Sequence, residues 1–165
     1  MKGVSFLAVI YVLAMVVANL LVWRIGPWFS PINSFVLIGL DLTLRDVMQD
    51  RFTRLQMAAV IVIGGLITYL CNPSALMISI GSATAFMASA IADWATYSAL
   101  KSRSWAIRSN GSNVVGAAVD SILFPTIAFG LFAPWVVGLQ FVAKVVGGAA
   151  WSWVLCNSSI RKAMQ

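Results

Sequence analysis

The chain has no histidine and few charges. Of its 165 residues, 11 are lysine or arginine and five are aspartate or glutamate, and the only cysteines are Cys71 and Cys156. This inventory excludes a structural metal cluster of histidine and cysteine, and it excludes Ser-His-Asp and Cys-His catalysis because no imidazole can act as the base. We therefore expect no metal site, no cofactor and no enzymatic activity.

Apolar residues are abundant instead. Hydrophobic residues make up 61% of the chain, charged residues 10%, and the mean hydropathy is +0.91. Soluble domains have roughly 45–50% apolar and about 25% charged residues, so this composition indicates a membrane protein. The net charge of +6 does not indicate a nucleic-acid partner, because the basic residues lie between apolar runs and not in a patch interleaved with aromatics.

Six apolar runs are long enough to cross a bilayer, whose ~30 Å core requires about 20 mostly apolar residues of helix. We predict an all-α polytopic membrane protein, a single six-transmembrane-helix bundle over residues 1–165. The first run is longer than the apolar core of a signal peptide and lacks a small-residue cleavage end, so we interpret it as a retained span. The predicted spans are residues 3–23, 32–48, 55–71, 74–100, 113–132 and 134–156.

The basic residues between these runs predict an orientation. One side of the membrane would carry Arg24 alone, and we expect that side to be outside. The excess of basic residues on the other side predicts that both termini are cytoplasmic, in a multi-pass protein of the cell (inner) membrane. The residues on that side are Lys2, Arg51, Arg54, Lys101, Arg103, Arg108, Arg161 and Lys162.

A small set of polar residues lies at membrane depth within the predicted spans. An ionisable group at the bilayer centre costs roughly 2.5–3.5 kcal/mol on insertion scales, so each should face the bundle interior and find a partner. We interpret all of them as candidates for a substrate site. The set comprises Asn19, Asp41, Arg45, Asp93, Asn113, Asp120, Gln140 and Lys144.

The spacing of these residues predicts which of them share a helix face. Asp41 and Arg45 are four residues apart, as are Gln140 and Lys144, and either spacing brings two side chains to one side of a helix. Asn113 and Asp120, seven apart, also share a side. The pair of Asp41 and Arg45 has two readings, which are structural neutralisation of one charge by the other and a direct role in transport.

Lys144 is far from other charges along the chain and needs a carboxylate from another helix, for which Asp120 and Asp93 are available. Together with Asp41, these carboxylates outnumber Arg45 and Lys144 by one. The surplus carboxylate could carry a proton, or it could meet a substrate rich in hydrogen-bond donors.

Two glycine pairs, Gly64-Gly65 and Gly147-Gly148, interrupt the third and sixth predicted spans. Small residues allow helix backbones to approach closely in membranes, so we predict close helix contacts at both pairs. The seven methionines are more typical of core filling or lipid contact than of a metal site.

Several of the polar residues stand in a recognisable order with their neighbours. They are Asn19 in the first span, the run Asp41-Leu42-Thr43-Leu44-Arg45, Ala83-Thr84-Ala85-Phe86-Met87 before Asp93, Ser112-Asn113, Asp120-Ser121, the run FPTIAF from Phe124 to Phe129, and Lys144 in the last span. Together they resemble the queuosine-precursor transporters, also called the vitamin uptake transporter family.

The resemblance implies import of 7-cyano-7-deazaguanine or its aminomethyl relative, a deazapurine used to make modified bases of transfer RNA. Such a molecule carries a ring N–H beside an exocyclic amine, which a buried carboxylate can accept, while Asn, Gln or Lys can donate to its carbonyl. Phe86, Phe124 and Phe141 are candidates for stacking on the ring.

Two other functions stay open. A substrate-capturing subunit of an energy-coupling-factor vitamin importer would also have about six helices, and Ala8, Ala14 and Ala18 in the first span could serve its coupling to an ATPase. A pore or structural membrane protein is the other alternative. The expected partners are a small deazapurine and the lipid bilayer, and the sequence leaves a homo-oligomer open.

Overall fold

The computed structural model describes residues 2–49, 51–130 and 134–157. Over these residues the chain is a helical bundle without β-strands, which confirms the all-α prediction. A π-helical segment, Ser34–Ile38, joins the second and third α-helices, and short 3-10 turns stand at Pro27–Phe29 and Pro73–Ala75. The α-helices are α1 (Lys2–Ile25), α2 (Ser30–Asn33), α3 (Gly39–Gln49), α4 (Arg54–Cys71), α5 (Leu76–Ala99), α6 (Trp105–Phe129) and α7 (Pro134–Asn157).

Five helical segments are long and apolar enough to cross a membrane. They correspond to the first, third, fourth, fifth and sixth predicted spans, and they make the chain a multi-pass membrane protein. The predicted span 32–48 instead falls on α2, the π-helical segment and α3, a path that contains Asp41, Arg45 and Asp46. The five segments are Phe6–Ile25, Arg54–Cys71, Pro73–Ala99, Trp105–Phe129 and Pro134–Leu155.

The start of α4 agrees with its predicted span, whereas the start of α6 does not. Helix α4 begins close to its predicted start because Thr53 and Gln56 form a capping box, in which each side chain accepts from the backbone N–H of the other residue. Helix α6 begins at Trp105 and not at residue 113. Its first turns are polar but helical, and the Asn110 side chain donates to the Ala106 carbonyl at 2.8 Å.

The path formed by α2, the π-helical segment and α3 packs against α7 through glycines. A Cβ atom added to Gly147 would collide with the carbonyl of Phe35, and one added to Gly39 would lie 2.7 Å from the carbonyl carbon of Gly147. The carbonyl of Val36, which lies in the wider π-helical turn, accepts a hydrogen bond from outside that turn. Its donor is the indole N–H of Trp151 in α7, at 2.9 Å. The predicted close contact at Gly147-Gly148 is confirmed.

The other glycine pair brings α4 against two neighbours. A Cβ atom on Gly64 would lie 2.6 Å from the sulfur of Met15 in α1, and one on Gly65 would lie 3.2 Å from the Cβ of Ala83 in α5. This contact was also predicted. Helix α4 therefore packs closely against both α1 and α5.

Candidate functional site

A buried ion pair joins α6 to α7. The Lys144 ammonium, whose side chain is 1% exposed, lies 2.7 Å from Oδ2 of Asp120. It also donates to the Ser121 hydroxyl at 3.1 Å and to Oε1 of Gln140 at 3.0 Å. The prediction that Lys144 meets a carboxylate from another helix is confirmed, and the partner is Asp120.

This ion pair forms part of the wall of a small enclosed space, the central cavity, between α1, α2, the π-helical segment, α5, α6 and α7. Its volume of about 10 Å³ leaves room for roughly one water molecule. The polar and aromatic groups around it include Asn19, Asn33, Phe86, Asp120, Phe124 and Lys144.

Hydrogen-bonding capacity is left over at the central cavity. Among the described residues, Oδ1 of Asp120, Oδ1 of Asn33 and Nε2 of Gln140 are buried without a hydrogen-bond partner. An unsatisfied buried polar group costs about 1–3 kcal/mol. These are two acceptors and one donor that a polar ligand could satisfy.

A second buried ion pair joins α3 to α5. Nε of Arg45 lies 3.5 Å from Oδ2 of Asp93, and the guanidinium donates to the Ser89 hydroxyl at 3.1 Å and to the Phe86 carbonyl at 3.5 Å. Ser89 in turn donates to the carbonyl of Gly116 in α6 at 2.9 Å. A Cβ atom on Gly116 would lie 3.1 Å from Nη2 of Arg45, so the glycine admits the guanidinium.

Of the two readings of Asp41 and Arg45, structural neutralisation finds no ion pair between them among the described residues. The four-residue spacing does place both on one side of α3, but the long Arg45 side chain extends to α5. There it contacts the Asp93 carboxylate and donates to two neutral acceptors, the Ser89 hydroxyl and the Phe86 carbonyl. Asp41 is 2% exposed, and neither of its carboxylate oxygens has a hydrogen-bond partner among the described residues.

A serine cluster around Asp46 was missed by sequence reasoning. Oδ2 of Asp46 accepts from the Ser109 hydroxyl at 2.5 Å and Oδ1 from the Ser112 hydroxyl at 3.3 Å. Ser109 also lies 3.1 Å from the Ser152 hydroxyl, and the Asn113 amide donates to Ser109 at 3.5 Å. Because Asp46 falls inside the predicted span 32–48, its position in the sequence could have revealed it.

A wider cleft of about 440 Å³ opens between α4 and α5. Its walls are mainly apolar, with Met57 from α4 and Met87 from α5, and Arg45 reaches it from α3. Near Phe52, the guanidinium of Arg54 lies over the ring of Trp94 at 3.4 Å from the ring centre.

The structure sorts the sequence-predicted site residues into separate environments. Five of the residues line the central cavity, and they are Asn19, Phe86, Asp120, Phe124 and Lys144. Gln140 lies beside it through its contact with Lys144. The remaining five lie elsewhere: Arg45 and Asp93 in the second ion pair, Asp41 without a partner, Asn113 in the serine cluster and Phe141 against the apolar core.

Comparison with known proteins adds one match. A family model described as "Putative vitamin uptake transporter" matches residues 2–157. No curated protein and no solved structure matches the chain.

Proposed function

Because the chain belongs to the vitamin uptake transporter family, we propose that it imports a queuosine precursor, 7-cyano-7-deazaguanine or its aminomethyl relative. Family membership and five membrane-length helices make it a multi-pass membrane transporter. The substrate, the cell inner membrane as its location and the full topology go further than this, and each has its own support.

We propose six spans in a single transmembrane domain with both termini in the cytoplasm. Helix α2, the π-helical segment and α3 run without a break from Ser30 to Gln49. At about 1.5 Å per residue, that path is close to the ~30 Å thickness of the hydrocarbon core. Its charged residues are buried in the bundle and not directed at lipid, and the distribution of basic loop residues supports the orientation.

The observation that carries the substrate proposal is the Asp120–Lys144 ion pair on the wall of the central cavity, with unsatisfied polar atoms beside it. Oδ1 of Asp120 can accept from the ring N–H and exocyclic amine of a deazaguanine. Nε2 of Gln140 can donate to its carbonyl oxygen. Phe86 and Phe124 offer rings to a planar bicyclic molecule.

The central cavity is too small for that substrate in this conformation, because about 10 Å³ admits one water. We interpret the structure as an occluded conformation whose central cavity widens when the substrate binds. Arg45 separates the central cavity from the wider cleft, since it lines the cleft while donating to the carbonyl of Phe86, which lines the cavity. Arg54 stands at the cleft on the proposed cytoplasmic side, so the cleft is the proposed release route.

Binding of labelled 7-cyano-7-deazaguanine to purified protein tests the site. Asp120→Asn keeps the size of the side chain but removes its charge, so a charge-assisted hydrogen bond worth about 1.5–3 kcal/mol is lost. Affinity should then fall by roughly ten- to a hundredfold. Asp46→Asn is the matched control, because Asp46 is a buried carboxylate of the serine cluster and not of the central cavity. Near-normal affinity in a folded Asp120→Asn protein would remove Asp120 from the site.

Uptake by cells that cannot make deazaguanines, with no ATPase partner expressed, separates this proposal from an energy-coupling-factor subunit. Ala14 and Ala18, two of the small residues considered for coupling, are buried in the bundle and do not form a free surface of α1. We therefore expect uptake without an ATPase module. Uptake that depends on such a module would favour the subunit instead.

A further inference from the structure

Asp41 is the buried carboxylate with the fewest interactions in the described part of the chain. Asp120 has an ammonium partner, Asp93 a guanidinium and Asp46 two hydroxyl donors. Asp41, in the first turn of α3, has no hydrogen-bond donor at either oxygen and is equally buried. An ionised carboxylate without donors is very costly at membrane depth, whereas the neutral acid avoids most of that cost.

Among the described residues, no cation forms an ion pair with Asp41. Arg45 is close enough to interact with it electrostatically, but its guanidinium is directed to Asp93, Ser89 and the Phe86 carbonyl. From α4, the described titratable residues Arg54, Tyr69 and Cys71 are exposed and do not enter the core. The titratable and charged groups of the helices packed around Asp41 are Tyr11 (α1), Arg45 and Asp46 (α3), Asp93 (α5), Asp120 (α6) and Lys144 (α7).

The buried charges among the described residues do not balance. Four carboxylates, those of Asp41, Asp46, Asp93 and Asp120, face two buried cations, Arg45 and Lys144. Asp46 is stabilised by serine hydroxyls, so the carboxylate left over with neither a cation nor a donor is Asp41. A single proton on Asp41 reduces the excess of two carboxylates to one, and the remaining one, Asp46, has hydroxyl donors.

Asp41 is also placed to sense the central cavity. It lies three residues after the end of the π-helical segment, from which Ser34 and Ile38 line the cavity, and it interacts electrostatically with Asp120 on the cavity wall. A negative charge on Asp41 repels that of Asp120, so loading Asp41 with a proton changes the balance around the Asp120–Lys144 ion pair.

From this geometry we propose that Asp41 is a proton-binding site and that its proton drives import through the central cavity. The driving role rests on the proposed transport function, whereas proton binding does not. In the cycle, the carboxylate of Asp41 takes one proton from water on the outer side, the neutral acid persists in the occluded state described here, and the proton returns to water on the cytoplasmic side. No electron or co-substrate takes part.

Infrared spectroscopy of the purified protein in lipid at neutral pH tests proton binding without any substrate. A protonated carboxyl group has a carbonyl absorption separate from those of carboxylates and amides. We expect this absorption in the unmodified protein, its loss in Asp41→Asn, its retention in Asp46→Asn and its return at a shifted frequency in Asp41→Glu. Identical spectra for the unmodified protein and Asp41→Asn, or loss in Asp46→Asn alone, would overturn the proposal.

Folding provides a second measurement. Asn is neutral and has the shape of protonated Asp, so Asp41→Asn should keep the thermal unfolding temperature of the unmodified protein. A strongly destabilised Asp41→Asn protein beside a stable Asp41→Glu protein would mean that the carboxylate is needed in its ionised form, contrary to the proposal.

Uptake into proteoliposomes tests the driving role. An inward gradient of one pH unit supports about tenfold accumulation per coupled proton, and we expect labelled 7-cyano-7-deazaguanine to accumulate accordingly. Asp41→Asn should lose this response to the gradient. Transport that ignores the gradient in the unmodified protein would contradict the driving role. An absence of any deazaguanine transport would instead contradict the proposed substrate, and the infrared result would still decide on Asp41.

Discussion

The two buried ion pairs of this bundle have different surroundings. Arg45 and Asp93 lie 3.5 Å apart, and further acceptors on α5 hold the guanidinium, namely the Ser89 hydroxyl and the Phe86 carbonyl. Lys144 and Asp120 are closer, at 2.7 Å, and they border the central cavity, where Oδ1 of Asp120 has no hydrogen-bond partner among the described residues. Nε of Arg45 likewise has no hydrogen-bond partner among them, but Arg45 borders the wider cleft, whose walls are mainly apolar.

The difference teaches how to separate structural from functional charges in a membrane interior. A charge surrounded by protein acceptors fixes one arrangement of helices, since removing any part leaves another part unpaired. A charge with unused bonding capacity beside a cavity can exchange partners with a ligand. Because the central cavity is lined by polar groups and the cleft beside Arg45 is mainly apolar, we propose the Lys144 pair for binding a polar substrate and the Arg45 pair mainly for the architecture of α3 and α5.

Removal of the Asp93 charge should have the largest effect on stability and tests the comparison of the two ion pairs most directly. Asp93→Asn leaves the Arg45 guanidinium buried without a carboxylate, which should destabilise the protein by about 3–5 kcal/mol. The double variant Arg45→Gln/Asp93→Asn should recover much of this loss, as measured by thermal unfolding in lipid. Asp120→Asn should cost less, because a buried lysine can lose its proton and become neutral whereas an arginine stays charged. Equal losses in the two single variants would erase the distinction between the pairs.

Gly147 of α7 provides a second test, because it lies one turn from Lys144 on the same helix but has a packing role. Gly147→Ala places a methyl group against the Phe35 carbonyl, and such overpacking should destabilise the bundle by about 1–3 kcal/mol. Gly138→Ala is the control on the same helix, since a Cβ atom there meets nothing within 4 Å. It should be neutral or stabilise the protein. Unchanged stability in Gly147→Ala would show that the π-helical segment can move away from α7.

The aromatic residues give the smallest expected effect. Phe124 lines the central cavity, whereas Phe141 packs against the apolar core. Phe124→Leu should therefore weaken binding of 7-cyano-7-deazaguanine by about three- to tenfold, as expected for an aromatic contact worth about 0.5–1.5 kcal/mol. Phe141→Leu should leave the affinity unchanged in the same binding assay. If Phe141→Leu weakens binding more, the substrate does not occupy the central cavity.

Much of the bundle could be predicted because hydropathy and the residues that begin or end helices act locally. The capping residues Thr53 and Gln56 and the break at Asn72-Pro73 lie where the structure has helix ends. The need of Lys144 for a carboxylate from another helix also follows from membrane energetics alone.

The partners of the other charges could not be predicted in the same way. Sequence spacing reports which residues share a helix face, but the choice of Arg45 between Asp41 and Asp93 depends on the packing of α5 and α6. There Ser89 accepts from the guanidinium and Gly116 leaves room for it. The same limit explains why Asn113 was grouped with Asp120, although a serine cluster holds it. Polar helix turns such as those after Trp105 escape a hydropathy pattern altogether.

The π-helical segment has a consequence for the tolerance of this chain to insertions and deletions. Each residue of an α-helix turns the chain by about 100°, and a wider turn holds one residue more than an α-helical turn. Deleting one residue between Ser34 and Ile38 would let the segment close into ordinary α-helix while α3 keeps its phase. Ser34 and Ile38, the cavity-lining residues inside the segment, would then be repositioned, while the helices on either side keep their relative phase. The length of the π-helical segment should therefore be more restricted than the identity of its residues.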